Sequence, residues 1–250
     1  MKKTLIVFIA ALCTITVFSG CKKIFDYLDN DPTADFTDCQ IKEISFAKTG
    51  YKGVVTYNKD GNPVSVIYPY TSTERPNFKF KYDNKKRLIE SIEYYDNATI
   101  ERWARYKYNS QGLIISDTVY VGGILINGNP VVDDATELRV EEFGYDAEKR
   151  IISVVTHWPK FPSEGETEVA WVYDSANNRQ PDGTPWTYDN KMNLHRTHKV
   201  FMFIDRDYSR NNPVGATSYN SNYLPTQFET TINSFLRTNL SGSAVTYKCK

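Results

Sequence analysis

FKFKYDNKKRLIESI (residues 78–92) alternates apolar and charged side chains as far as Tyr82, breaks into a polar run, and resumes at Leu88 and Ile89. Phe78, Phe80 and Tyr82 fall on one side of an extended chain, and Lys79, Lys81 and Asp83 on the other. A period of two marks a half-buried strand, and a short polar break between two such runs marks a hairpin. ARYKYNSQGLIISDT (104–118) and VEEFGYDAEKRIISV (140–154) repeat the pattern, and Val169, Trp171 and Tyr173 share a face in the same way. Long helical periodicity is hard to find beyond residue 39.

The corner of these hairpins recurs as well. Tyr precedes Asp or Asn at Tyr57-Asn58, Tyr82-Asp83, Tyr95-Asp96, Tyr108-Asn109, Tyr145-Asp146, Tyr173-Asp174, Tyr188-Asp189 and Tyr219-Asn220, eight of the 18 tyrosines. Four positions after the Tyr, Gly61, Gly112 and Asn177 suit a turn; six positions after it, Pro63, Leu88, Ile114, Ile151, Leu194 and Pro225 start the return strand. Asp and Asn fit because their side chains bond the backbone amides that follow. Tyr fits a strand end because its ring packs while its hydroxyl reaches water.

These units resemble YD repeats, the Tyr-Asp hairpins of bacterial Rhs-type and related cell-surface proteins. With TYDNKMNLHR (187–196), SRNNPVGATSYNSNYLPTQF (209–228) and TYKCK (246–250), the chain is also similar to bacteroidete-type lipoproteins of unknown function. That resemblance implies a barrel-like or porin-like β domain over most of residues 39–250 and carries no activity. Leu194 stands where the similar proteins usually have Pro.

Residues 1–20 read as a leader: Lys2 and Lys3 precede an apolar run from Leu5 to Phe18, too short for a membrane span. Val17-Phe18-Ser19-Gly20-Cys21 resembles a bacterial lipobox, which implies acylation of Cys21 and anchoring through several acyl chains. Residues 21–38 read as an acidic tether. Asp29, Asp31 and Asp35 lack the glycine and terminal glutamate of a calcium loop. Lys22 after Cys21 points to the outer membrane, by resemblance to lipoprotein sorting, with the face of that membrane left open. Cys39 and Cys249 are the cysteines that remain, at the two ends of the β domain. Two readings stand: independent thiols, or a bridge closing a loop worth up to about 5 kcal/mol.

Thirty basic residues balance 30 acidic ones, and loss of the leader shifts the net charge to −2. Neither value suits a nucleic-acid binder. His157, His195 and His198 are the histidines; they read as exposed strand-end residues, since His195 and His198 would face opposite ways on a strand. No nucleophile elbow, phosphate loop or zinc spacing is present, so no catalytic residue, metal or cofactor is expected. The carboxylate pairs Asp133-Asp134, Glu141-Glu142 and Asp205/Asp207 are the residue types a glycosidase uses, but spacing along a chain does not place them. Asp117-Thr118-Val119 and Asp174-Ser175-Ala176 resemble loose O-glycosylation acceptors. Trp103 and Trp171 read as core, and Trp158 and Trp186, in Pro-rich connections, as ligand-binding candidates, with local packing as their competing reading.

The sequence thus predicts an all-β fold, an antiparallel meander of hairpins forming an open barrel or strongly twisted sheet, its ends near one another. Residues 39–250 form a single YD-repeat-like β domain. The expected function is non-enzymatic: a lipid-anchored outer-membrane protein binding a glycan or an envelope protein through its β surface. The alternatives are a purely structural envelope lipoprotein and an envelope glycan hydrolase.

Overall fold

A computed structural model describes residues 37–134, 136–181 and 185–249, which lie within one compact unit beginning at Asp35. The leader, Cys21 and the tether lie outside these residues. The strands of the first half are β1 (Cys39–Phe46), β2 (Tyr51–Tyr57), β3 (Pro63–Ile67), β4 (Asn77–Tyr82), β5 (Leu88–Tyr94), β6 (Ile100–Tyr108) and β7 (Ile114–Val121). Next come β8 (Ile124–Ile126), β9 (Asn129–Val131), β10 (Glu137–Tyr145), β11 (Ile151–His157) and β12 (Glu166–Ala170). The remainder holds β13 (Val172–Tyr173), β14 (Arg179–Gln180), β15 (Tyr188–Met192), a short helix α1 (Lys199–Ile204), β16 (Asn211–Pro213), β17 (Ala216–Tyr219), β18 (Pro225–Phe228), β19 (Ser234–Phe235), β20 (Thr238–Asn239) and β21 (Ser243–Cys249).

Among the described residues, 13 strands form one antiparallel sheet in the order β12-β11-β10-β7-β6-β5-β4-β3-β2-β1-β21-β18-β17. From β1 to β12 it is a meander, interrupted by the β8–β9 ribbon. The last strand, β21, returns to pair with β1, so the two ends of the domain meet. The order terminates at β12 and β17, and the sheet is open rather than closed into a barrel.

The repeated corners share one geometry. Tyr57, Tyr82, Tyr94, Tyr108, Tyr145 and Tyr219 each stand opposite the residue six positions on, with a register shift beside them. The residue after the Tyr opens a β-turn: Asp83 N–H donates to Arg87 O, and Lys86 N–H donates to Asp83 O. Its side chain holds the turn, Asp83 Oδ1 accepting from Lys85 and Arg87 amides and Asn109 Oδ1 from Gln111 and Leu113 amides. The residue four after the Tyr has positive φ: Gly61, Lys86, Ala98, Gly112, Lys149, Asn177 and Tyr223. A β-turn followed by one left-handed residue is a bulge-type hairpin loop. At the third corner the phase differs from the sequence reading. Tyr94 takes the strand end and Tyr95 the Asp position, because Ala98 supplies the left-handed residue.

The tyrosine hydroxyls do not reach water as expected; they stitch hairpin to hairpin. Tyr82 donates to Pro63 O at 2.7 Å, Tyr108 to Leu88 O at 2.7 Å, Tyr145 to Ile114 O at 2.6 Å, and Tyr247 to Pro225 O at 2.7 Å. Tyr173 reaches Ile151 O at 3.5 Å, and Tyr188 donates to Arg179 O. Each acceptor is the residue six after an earlier corner Tyr, or its equivalent. Each corner therefore closes on the start of a preceding return strand. Burial pushes the Tyr108 hydroxyl up to about 12, so it keeps the proton it donates.

The core lies on one face of the sheet. Ile44, Val66, Phe78, Phe80, Ala104 and Val119 are buried there. Leu194, Phe201, Phe203, Phe235, Leu236 and Leu240, from the segment spanning 194–240, pack against that face. Each fully buried side chain of this size contributes about 1.5–3 kcal/mol. KVFMFI (199–204), apolar after the exposed Lys199, forms a short helix of under two turns, capped by His198, whose Nδ1 accepts from Val200 N–H. No helix among the described residues is long and apolar enough to cross a membrane.

Candidate functional site: a polar cleft on the inner face of the sheet

Cys39 and Cys249 are joined by a disulfide that closes a separation of 210 residues across the β1–β21 pair. Cys21 lies outside the described residues.

His195 and His198 are not exposed strand-end residues. His195 sits in a 3-10 turn, Leu194–Thr197, and is 2% exposed. Its Nε2 meets Asp205 at 2.7 Å, and its Nδ1 meets Asp207 at 3.4 Å and Asn193 Oδ1 at 2.9 Å. The expected Asp205/Asp207 pair is therefore brought together, but around an imidazolium. Burial opposes the charge; hydrogen bonds to the two carboxylates outweigh it and push His195 up to about 9. Burial lowers His198 to about 3, and it serves α1 as a neutral cap. Both His195 ring nitrogens are committed, so this cluster holds the fold and has no free base. His157 is half-buried at the end of β11 beside Glu166. Among the described residues no three His, Cys, Asp or Glu side chains are grouped to hold a metal ion.

The tryptophans divide differently from the sequence reading. Trp158 is half-buried in the turn after β11. Trp186 is also half-buried, with the Arg179 guanidinium 5.2 Å from its ring. Trp103 is a strand residue but faces away from Ala104 and the core, stacked on Tyr120 at 4.8 Å. Trp171 packs against the core and lines a polar cleft.

That cleft, of about 440 Å³, lies on the inner face beside the end of α1. Strand register builds its floor. Glu93 of β5 stands opposite Arg102 of β6, which stands opposite Val121 of β7. Two rows over, Tyr106, Asp117, Glu141 and Thr156 run across β6, β7, β10 and β11. Ile204 and Arg206, where α1 ends, form one wall; Arg237, in the turn between β19 and β20, reaches in from above. Trp171 supplies the aromatic surface, and its ring is backed by Arg179 at 5.8 Å. Of the expected carboxylate pairs, Glu141 enters the cleft, while Glu142 points to the other face and is largely exposed, as strand neighbours must.

The charged groups interlock. Arg102 meets Glu141 at 2.9 Å and Asp117 at 3.6 Å; Arg206 meets the same two at 3.4 and 4.0 Å. Arg237 meets Glu93 at 2.5 Å and Glu101 at 2.9 Å. The Tyr106 hydroxyl is 2.6 Å from Ser91 Oγ. Burial raises the Glu93 pKa, although Arg102 and Arg237 oppose it. Burial, with Glu141 alongside, pushes Asp117 up to about 7 against the pull of Arg102 and Arg206. Burial also works to raise Glu141, but the same two arginines dominate and lower it. The cleft thus holds fixed donors and acceptors at short spacing beside one indole face.

Sequence reasoning missed Arg102, Asp117, Arg206 and Arg237 as site residues. For the strand members a signal was present: ERWARYKY (101–108) and ISDTV (115–119) put a charge into the apolar phase of a strand, at Arg102 and at Asp117. Thr118 of the loose acceptor motif is half-buried within β7, and Ser175 sits at an exposed corner.

No family profile and no curated protein sequence matches the chain. Among solved structures it is similar to part of the crystal structure of TcdB2-TccC3-Cdc42, at 11% identity and TM-score 0.25, over 56% of this chain and 9% of that one. For TcdB2-TccC3-TEV the values are 12%, 0.30, 77% and 10%, and for TcdB2-TccC3 they are 10%, 0.23, 55% and 10%. The chain spans about a tenth of the length of the chains it matches. The Tyr-Asp hairpin content stands on the corners of this chain itself.

Proposed function

We propose that this chain is a lipid-anchored outer-membrane protein that binds a glycan in the inner-face cleft and does not transform it. The cleft is the observation that supports this reading. A sugar presents hydroxyls that both donate and accept, and apolar C–H faces. The cleft offers guanidinium donors, carboxylate acceptors, the Ser91–Tyr106 hydroxyl pair and the Trp171 ring. Its volume lies in the range of small-molecule sites. The arginine–glutamate contacts hold these groups in place before a ligand arrives, which lowers the ordering cost of binding.

An oligosaccharide panel titrated by calorimetry tests this. Binding by at least one class is expected, weakened about tenfold or more by Trp171→Ala, with the oligosaccharide recovered intact. No retained sugar at millimolar concentration refutes glycan binding, and shortened products refute the non-enzymatic reading. For the anchor, metabolic acyl labelling should be lost in Cys21→Ala, together with membrane retention.

A further inference from the structure

Two of the cleft arginines stand on backbone that favours glycine. Arg206 directly follows Asp205, the C-cap of α1, and has φ of 53° where helices most often place Gly. Leu236 and Arg237 join β19 to β20 with φ of 47° and 66°, a two-residue loop in which Asn-Gly is the usual solution. Left-handed backbone costs an L-residue roughly 1–2 kcal/mol. Leu236 is fully buried and explains its own place. The arginines put guanidinium groups into the cleft, and strain of this kind collects at functional sites.

The charge count points the same way. Four arginines, Arg102, Arg139, Arg206 and Arg237, line the cleft against three glutamates, with Asp117 buried beneath them. Arg206 has the loosest carboxylate contacts of the four, at 3.4 and 4.0 Å. Among the described residues neither side-chain oxygen of Asp117 has a close hydrogen-bond donor beyond the neighbouring Glu141 backbone.

We propose that the ligand of the cleft is an acidic glycan, a uronate-bearing oligosaccharide, whose carboxylate is taken by Arg206 and Arg102 in place of their present contacts to Asp117 and Glu141. This rests on the glycan reading above and narrows it. A guanidinium fork matches a carboxylate in two parallel hydrogen bonds, stronger than bonds to neutral hydroxyls. Asp117 is faced by Arg102 and Tyr106 from β6, by Glu141 from β10 and by Arg206 from the α1 end. A ligand carboxylate arriving there competes with Asp117 for the two cations. Protonation of Asp117, whose pKa is about 7, removes that competition, so binding tightens as the pH falls through 7.

Calorimetry on the full mature protein with hexagalacturonate, cellohexaose and hexaglutamate, at pH 6 and pH 8, tests this. Hexagalacturonate should bind about tenfold or more tighter than cellohexaose at pH 6, and weaken about tenfold at pH 8. Arg206→Gln should abolish that preference, while Asp117→Asn should remove the pH dependence and keep the tight state. Thermal melts establish that both variants fold. Equal or tighter binding of cellohexaose overturns the acidic assignment and spares the glycan reading. Binding of hexaglutamate as tight as that of hexagalacturonate overturns the sugar part. Binding of none of the three overturns the acidic assignment, and the wider panel then decides the glycan reading.

Discussion

The hairpin meander from β2 to β11 and the internal segment 194–240 are held by different kinds of bond. The Tyr57, Tyr82, Tyr108 and Tyr145 corners of the meander are closed by contacts within six residues, Asp or Asn to the next amides, plus one hydroxyl bond to an earlier strand. The internal segment has local closures too, at the Tyr219-Asn220 corner and at Asp207 and Thr231, but does not rest on them alone. It is fixed by buried charge, with His195 between Asp205 and Asp207, and by a left-handed Arg206 and Arg237 tied to distant strands. Local closures can be lost one at a time at small cost. A buried charged network fails together, because removing one member strands the others.

The largest expected effect is therefore in the internal segment. His195→Ala leaves two buried carboxylates without their cation and should lower unfolding free energy by about 3–5 kcal/mol in urea titration. A loss below 1 kcal/mol would place the network among the small local terms.

The pH dependence follows from the same group. His195 has a folded-state pKa raised from 6.5 to about 9. Its contribution is complete below pH 6.5 and is lost as pH rises through 9, by up to about 3 kcal/mol. Urea midpoints should therefore fall between pH 6.5 and 9.5, and this slope should vanish in His195→Gln. Burial works to raise Asp207, but the His195 contacts dominate and depress it, so its contribution is lost in the opposite direction, as the pH drops into the acid range.

The corners should respond more mildly and alike. Tyr108→Phe removes a single hydroxyl-to-carbonyl bond at 2.7 Å, and Asn109→Ala removes two side-chain closures; each should cost about 1–2 kcal/mol by thermal melt. Should Tyr108→Phe cost as much as His195→Ala, the two regions would not differ in kind.

The smallest effect has the opposite sign. Lys149 is exposed, with φ of 60°, at the fourth position of its corner. Lys149→Gly should stabilise by up to about 1 kcal/mol, since only the backbone opposes lysine there. Arg237→Gly relieves the same conformation yet should destabilise, because Glu93 loses its partner.

The sequence made the corners legible because their code is local: Tyr, Asp or Asn, a left-handed position and an apolar return lie within seven residues. It misplaced the third corner by one residue, because Tyr94-Tyr95-Asp96 offers two phases and Ala98 decides between them. The cleft was legible only as anomalies of phase at Arg102 and Asp117. Arg206, Arg237 and Trp171 converge on it through strand order and the path of 194–240, which no short pattern encodes. His195 and His198 were misread for the same reason. An apolar run such as VFMFI (200–204) has no polar phase, so its helix and the buried histidines before it depend on tertiary packing.

The central claim is that ligand enters the inner-face cleft and not the Pro-rich connections. Indole N–H resonances of the four tryptophans, followed by NMR during titration with a bound oligosaccharide, test it most directly. The Trp171 resonance should shift in a saturable manner while Trp158 and Trp186 stay in place. A saturable shift of Trp158 or Trp186 with Trp171 unmoved would contradict it.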